Sequence, residues 1–289
     1  MDATQPTQRR TTTGTWTIAL VVLLLLCASA AVRACGGSGG QATWSAAPTL
    51  SASTAQWHYV VLGDSAFAAP DPTNMTTVAD AQARLIKRDL GVDAAVDWFY
   101  YPGSTSAYVL HQLRTSEALR KAISSADVVL FDVPVGQMKQ TIPWDRAEYQ
   151  PLPGSPERYR QGMARMLGDY RRDARAIVNE IVSLRSPAAA SIRAIDIWQL
   201  GYPGFRKLGV GPVMREAWPR MNKAVDQACA ARGVPVVDAY AAFMGPDGRT
   251  DPVAVGNVRP DQMHLTDKGI AKLAELLHRA GYAEIAQTP

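Results

Sequence analysis

The sequence predicts an α/β fold in three layers, with a five-stranded parallel sheet held between two sheets of helices. Two observations carry this. From residue 56 onward, β-rich apolar runs alternate with helical patterns five times. Such alternation places helices on both faces of a parallel sheet. The first of those runs is continuously apolar rather than alternating, as expected of a strand covered on both faces. No internal repeat interrupts the series.

The elements follow in chain order. WHYVVLG (57–63) ends in glycine and reads as a buried strand. Residues 77–90 have a helical period, with Val78, Ala81, Leu85 and Ile86 on one face. VDWFYY (96–101) is the second strand, and residues 106–124 form the next helix, apolar through Val109, Leu110, Leu113 and Leu119. DVVLFDVPV (127–135) is the third strand. Four prolines among polar residues make 138–158 a long loop or lid. A long amphipathic helix covers 158–184, with Met163, Met166, Ile177 and Ile181 inward. SIRAIDIW (191–198) is the fourth strand, a helix runs from Val213 to Arg232, and GVPVVDAY (233–240) is the fifth strand. Residues 241–260 read as loop, and 266–280 as the last helix with Thr266 as its N-cap. In such sheets, sites lie at the carboxyl ends of the strands.

The N-terminus reads as a targeting device. Residues 1–15 are polar and carry Arg9 and Arg10, and residues 16–32 hold no charge. A basic start, an apolar core and a small-residue exit describe a secretory signal. The stretch VRAC (32–35) resembles a bacterial lipobox, in which Cys35 is lipidated and becomes the new N-terminus. Arg33 stands where that motif usually has a small uncharged residue. Three fates fit the segment: a lipoprotein, an uncleaved N-terminal anchor, and a released protein. The apolar run is near the lower length limit of a spanning helix, about 17–25 residues. Arg9 and Arg10 also allow a twin-arginine signal, which the flanking TTTG fits poorly. All three fates place the body outside the cytoplasm. The expected organisation is signal or anchor over 1–35, flexible Gly/Ser-rich linker over 36–55, and one domain over 56–289.

Composition excludes little else. The chain has 289 residues, 47% apolar and 19% charged, an ordinary globular balance. The net charge of +4 forms no basic stripe with interleaved aromatics, so nucleic-acid binding is not expected. Cys27 and Cys35 lie in the leader, and Cys229 stands alone in the body, where an internal disulfide is therefore impossible. The histidines are scattered and no HExxH occurs, so no metal site and no cofactor are expected.

Two short motifs carry chemistry. LGDSAFAAP (62–70) follows the first strand, so Ser65 stands on a turn at that strand's carboxyl end, with Gly63 permitting a tight backbone. Free N–H groups of a helical turn beginning there would face an incoming oxyanion. Taken alone, the tripeptide also describes a plain strand-to-helix turn. RPDQMHLTDKG (259–269) places Asp261 and His264 three apart before the last helix. One turn can aim both side chains the same way. The carboxylate then takes the Nδ1 proton of His264 and leaves Nε2 as general base. Taken alone, this is also an Asp cap beside a surface histidine.

Together, GDS after the first strand and DxxH before the last helix resemble the SGNH (GDSL) serine hydrolases, over about Tyr59 to Ala280. Gly103, opening GSTSAYVLHQL, matches that family's glycine after the second strand. VPVVDAY (234–240) matches its late V-x-V-V-D pattern. The resemblance implies a flavodoxin-like SGNH hydrolase fold rather than the nucleophile elbow of α/β-hydrolases, since no G-x-S-x-G occurs. It implies Ser65 as nucleophile, His264 as base, Asp261 as its orienting partner, and the N–H groups of Ser65 and Gly103 as oxyanion donors.

One stretch departs from the family. Where it has G-x-N-D with an oxyanion asparagine, this chain has VPVGQMKQ (133–140), which holds no Asn. The Gln137 carboxamide and the Gly136 N–H are the replacements the sequence offers. The implied activity is hydrolysis of an acyl ester outside the cytoplasm, the substrate being a lipid, an acetylated glycan or a small ester. An acyltransferase is mechanistically adjacent. The rival from another class is a weakly catalytic domain that binds envelope glycan or lipid. The expected partners are thus the ester substrate and, through the N-terminal lipid or anchor, the membrane.

Overall fold

The computed structural model describes residues 56–68, 75–145, 150–185, 190–282 and 285. The leader, Cys35 and the linker expected over 1–55 lie outside the described residues. Among the described residues no helix is long and apolar enough to cross a membrane.

The chain opens with β1 (Gln56–Gly63), α1 (Ser65–Ala68), α2 (Val78–Leu90) and β2 (Asp93–Tyr100). It continues through α3 (Ser106–Thr115), α4 (Glu117–Ser125), β3 (Val128–Phe131) and α5 (Met138–Thr141). A small hairpin of β4 (Trp144–Asp145) and β5 (Gln150–Pro151) leads into α6 (Pro156–Arg185) and β6 (Ser191–Ile195). Then come α7 (Tyr202–Lys207), α8 (Gly211–Ala230), β7 (Val236–Val237), α9 (Ala239–Met244) and α10 (Asp267–Arg279).

The main sheet has five parallel strands in the order β2-β1-β3-β6-β7. Helices cover both sides, as the strand–helix alternation predicts; α2 packs on α10, and α6 packs on α3 and α8. β1 and β3 supply the centre of the core. Tyr59, Val60 and Leu62 are fully buried, and Leu62 stands beside Phe131 of β3. Each such side chain contributes about 1.5–3 kcal/mol by leaving water. The chain leaves β1 towards β2 on one side and returns with β3 on the other. That makes the crevice beyond the ends of β1 and β3 the topological switch point, where open α/β sheets bind ligands.

Four local expectations change. The helix expected over 106–124 is two helices, because Ser116 turns extended and its side chain caps α4 by accepting from Leu119 N–H. The third strand stops at Phe131 rather than at residue 135, since Pro134 has no N–H to continue a ladder. The fifth strand shrinks to Val236–Val237, where Asp238 begins capping α9, a helix that takes the end of the expected strand and the start of the segment read as loop. The proline-rich excursion is no free lid. Ile142 and Trp144 are buried, and the Tyr159 hydroxyl donates to Leu152 O at 2.6 Å. Cys229 is fully buried, and burial pushes its thiol up to about 12, which leaves it inert.

Candidate active site

Ser65 is the first residue of α1, separated from the end of β1 by Asp64 alone. Asp64 shapes the turn. Its Oδ1 accepts the Ala66 N–H at 2.8 Å, and its own N–H donates to Asp132 Oδ1 at 3.2 Å. Gly63 is required by close approach: a Cβ there would stand 2.6 Å from Asp132 Oδ1 and 2.7 Å from the Phe67 ring. Asp64 and Asp132 are both buried. Burial pushes the Asp64 carboxyl up, and burial together with the Asp64 charge pushes Asp132 higher still. Each of the two adjacent buried carboxyls opposes the ionisation of the other.

Asp261 and His264 meet across a tight turn. The His264 ring Nδ1 lies 2.9 Å from Asp261 Oδ2, while Asp261 Oδ1 accepts the N–H groups of Met263 and His264 at 2.9 and 3.0 Å. Partial burial would raise the Asp261 carboxyl, but these bonds, the ring's first, outweigh it and hold it below its ordinary value. The carboxylate thus fixes the tautomer that leaves Nε2 open. Gln262, between the two, has φ +65, a left-handed conformation uncommon outside glycine. It is held there by Gly204 N–H on its Oε1 at 2.9 Å and Gly201 N–H on its carbonyl at 3.0 Å. No pattern in the sequence announces this anchor on α7.

The two halves converge. Met263, between Asp261 and His264, lines the same cleft as Ser65. Gly103 lines it too, at φ +64, on a turn tied to β1 by Tyr101 N–H donating to Gly63 O at 3.0 Å. Among the described residues no bond occupies the N–H of Ser65 or of Gly103. The cleft is a shallow notch enclosing only about 10 Å³.

The two replacement donors need correction. Gln137 does not aim its carboxamide at the cleft. Its Oε1 accepts the Ser106 N–H at 3.1 Å and its Nε2 donates to Ser106 Oγ at 3.0 Å. The side chain acts as a remote cap on α3, whose first N–H groups have no intrahelical partner. Gly136 does line the cleft, but its N–H donates to Ser104 O at 3.0 Å. It is glycine because a Cβ would stand 2.2 Å from that same carbonyl. Sequence reasoning passed over Lys139, which also lines the cleft: its Nζ would lie 3.6 Å from a Cβ built on Gly103.

A second Ser–His–Asp contact exists elsewhere. His58 Nε2 lies 2.9 Å from Asp97 Oδ2, and its Nδ1 lies 3.1 Å from Ser125 Oγ. It borders a larger cavity of about 520 Å³ near the start of β1. His58 precedes Gly63 by five residues, roughly 16 Å along the strand at about 3.3 Å per residue. The chemistry there is wrong for acyl transfer. Ser125 ends α4, so carbonyls rather than N–H groups face it, and its hydroxyl donates to Lys121 O at 3.1 Å. A helix C-terminus repels a forming oxyanion. This contact is structural despite its larger cavity.

A family model described as GDSL-like lipase/acylhydrolase matches residues 59–277. Among solved structures, a lipase from a goat rumen metagenome superposes with a TM-score of 0.62 at 16% identity, covering 79% of this chain and 99% of that one. A lipase/acylhydrolase from Enterococcus faecalis gives 0.53 at 19% identity, covering 78% and 96%. An acetylxylan esterase from Geobacillus stearothermophilus gives 0.52 at 15% identity, covering 81% and 97%. At such identities these likenesses speak for the fold alone. No curated protein matches the sequence.

Proposed function

The chain belongs to the GDSL-like lipase/acylhydrolase family, and from that membership we propose that it hydrolyses a short-chain carboxylic ester with Ser65 as nucleophile, His264 as general base and Asp261 as its orienting partner. The observation that carries the reading is the 2.9 Å bond between His264 Nδ1 and Asp261, on a turn whose Met263 borders the Ser65 cleft.

The steps follow from the groups present. Ser65 Oγ attacks the ester carbonyl while His264 Nε2 takes its proton. The carbonyl electron pair moves onto oxygen, facing the N–H groups of Ser65 and Gly103. The tetrahedral centre collapses, His264 gives its proton to the departing alcohol, and water repeats the sequence on the acyl-enzyme. Asp261 stays ionised throughout and stabilises the imidazolium.

The small notch favours acetyl or another short acyl group, since a chain of many methylenes needs an apolar groove to bury it. That the solved relatives include an esterase of acetylated xylan accords with this. The leader and Cys35 support a place outside the cytoplasm, tethered to the membrane by lipid or by an uncleaved anchor.

The test is a series of nitrophenyl acetate, butyrate and palmitate, assayed with the parent and with His264→Ala. The reading expects kcat/KM to fall with chain length and the variant to lose about 10³-fold or more on acetate. Equal rates for parent and variant contradict the triad. No turnover on any ester points instead to a binding domain.

A further inference from the structure

We infer that the outer edge of β2 is an interaction surface for a second copy of this chain, the two β2 strands pairing antiparallel about a two-fold axis through Val96. The inference is independent of the catalytic reading.

The two edges of the main sheet are unlike. At one edge β7 has two residues, and Asp238 turns the chain straight into α9. At the other edge β2 has eight, in unbroken register with β1 from Gln56 opposite Asp93 to Gly63 opposite Tyr100. It holds no proline, lysine or bulge, the devices that keep an edge strand from pairing. Its two acids are bonded back into the fold, Asp93 to Lys87 at 2.7 Å and Asp97 to His58 at 2.9 Å.

One bond fixes which way its main chain faces. Tyr101 N–H donates to Gly63 O at 3.0 Å. Alternate residues of a strand turn their main-chain groups to the same side, so Ala95, Asp97 and Phe99 face β1. Ala94, Val96 and Trp98 turn their N–H and C=O groups outward, and among the described residues nothing bonds those groups. Grooves flank this edge on both faces. One of about 460 Å³ on the α2 side passes Ala94, Val96 and Trp98. The other, of about 520 Å³ on the α4 side, passes Ala95 and Asp97.

A second β2 fits this edge and fixes its own register. Centred on Val96, the pair sets Val96 against Val96 and Ala94 against Trp98, a small residue beside a large ring. The outward groups of both copies then exchange about six hydrogen bonds. On the α4 side, Ala95 stands opposite Asp97 of the second copy. Lys121 lines that groove, and among the described residues no carboxylate pairs with its ammonium. The second copy's Asp97 brings one. The adjoining registers set like charges face to face, which destabilises a pair. Centred on Asp97, the pair opposes Asp97 to Asp97; centred on Ala95, it opposes Asp93 to Asp97.

The test uses the full chain carrying Cys27→Ser and Cys35→Ser, which leaves the buried Cys229 as its one cysteine. Val96→Cys in that background opposes two thiols on residues whose Cα atoms lie about 5.5 Å apart. A disulfide reaches about 4.4–6.8 Å. Ala94→Cys sets its two thiols four residues out of register, roughly 13 Å along the strands, beyond that reach. Under mild oxidation Val96→Cys should become a covalent dimer on a non-reducing gel while Ala94→Cys stays single. Light scattering should find two copies in the parent and one in Val96→Arg, which meets its own charge across the axis, with the circular dichroism spectrum unchanged. A parent that weighs as one copy throughout a concentration series overturns the inference. So does equal linking of the two cysteine variants, or a two-copy mass that survives Val96→Arg. Linking of Val96→Cys to another protein of the host, with none to itself, would assign the edge to a foreign extended segment and overturn it too.

Discussion

Replacing Gln137 with alanine separates two accounts of the β3–α5 loop. In the structure the Gln137 side chain bonds both the N–H and the Oγ of Ser106. Ser106 is 1% exposed, so water cannot substitute freely. Its Oγ keeps a bond to Asp173 Oδ2 at 2.8 Å, but its N–H loses the Gln137 Oε1 acceptor. Leaving one buried donor unsatisfied costs about 1–3 kcal/mol. For a domain of this size each kcal/mol moves the midpoint by about 2–4 °C, so Gln137→Ala should melt roughly 2–12 °C lower. The variant's kcat on nitrophenyl acetate should stay within about threefold of the parent, since the lost bonds do not strengthen in the transition state. Calorimetry and steady-state kinetics on the same preparation check both numbers. A kcat lower by about 10²-fold at an unchanged midpoint would refute the argument and make Gln137 an oxyanion donor after all.

Four further outcomes are expected. Gly162→Ala should destabilise by about 1–3 kcal/mol, despite the better helix propensity of alanine, because its Cβ would stand 2.3 Å from Thr141 O where α6 meets α5. Gly168→Ala on the same helix meets nothing within 4 Å and should instead stabilise by about 0.5–1 kcal/mol, both read by urea titration. Asp196 is raised to about 7, by burial foremost, against its backbone bond from Tyr240 N–H at 2.8 Å. An acid raised in the fold binds a proton that the unfolded chain has released, so the native state loses stability as pH climbs from the ordinary carboxylate range towards 7. Asp196→Asn should therefore raise the midpoint at pH 8 and leave it nearly unchanged at an acid pH where both states are protonated. In a bacterial host, Cys35→Ala should move the protein from the membrane fraction to the soluble exported fraction, and a mature chain still beginning at Met1 would indicate the uncleaved anchor.

The sheet was legible because its central strands are continuous apolar runs, and Tyr59–Leu62 admit no other comfortable place. The placement of Ser65 just after β1 and the pairing of Asp261 with His264 were legible because short spacing next to a strand end or helix start restricts where side chains can point. What escaped depends on contacts distant in sequence. Ser116 splits a helix by one side-chain cap that looks no different from other serines. Gln137 was misread because a carboxamide beside a glycine suits an oxyanion donor and a helix cap equally well, and only the position of Ser106, thirty-one residues away, decides between them. Lys139 gave no signal, since its place on the cleft depends on Gly103 folding near it. Gln262 was invisible for the same reason: its left-handed turn is held by α7, a helix with no clear period.

The central claim is that Ser65 is the nucleophile, and labelling by a fluorophosphonate followed by peptide mass spectrometry tests it most directly. The account predicts one modified serine, Ser65, with labelling and nitrophenyl acetate hydrolysis both lost in Ser65→Ala and labelling strongly slowed in His264→Ala. Modification of another serine, Ser125 of the second histidine contact above all, or full esterase activity in Ser65→Ala, would contradict it.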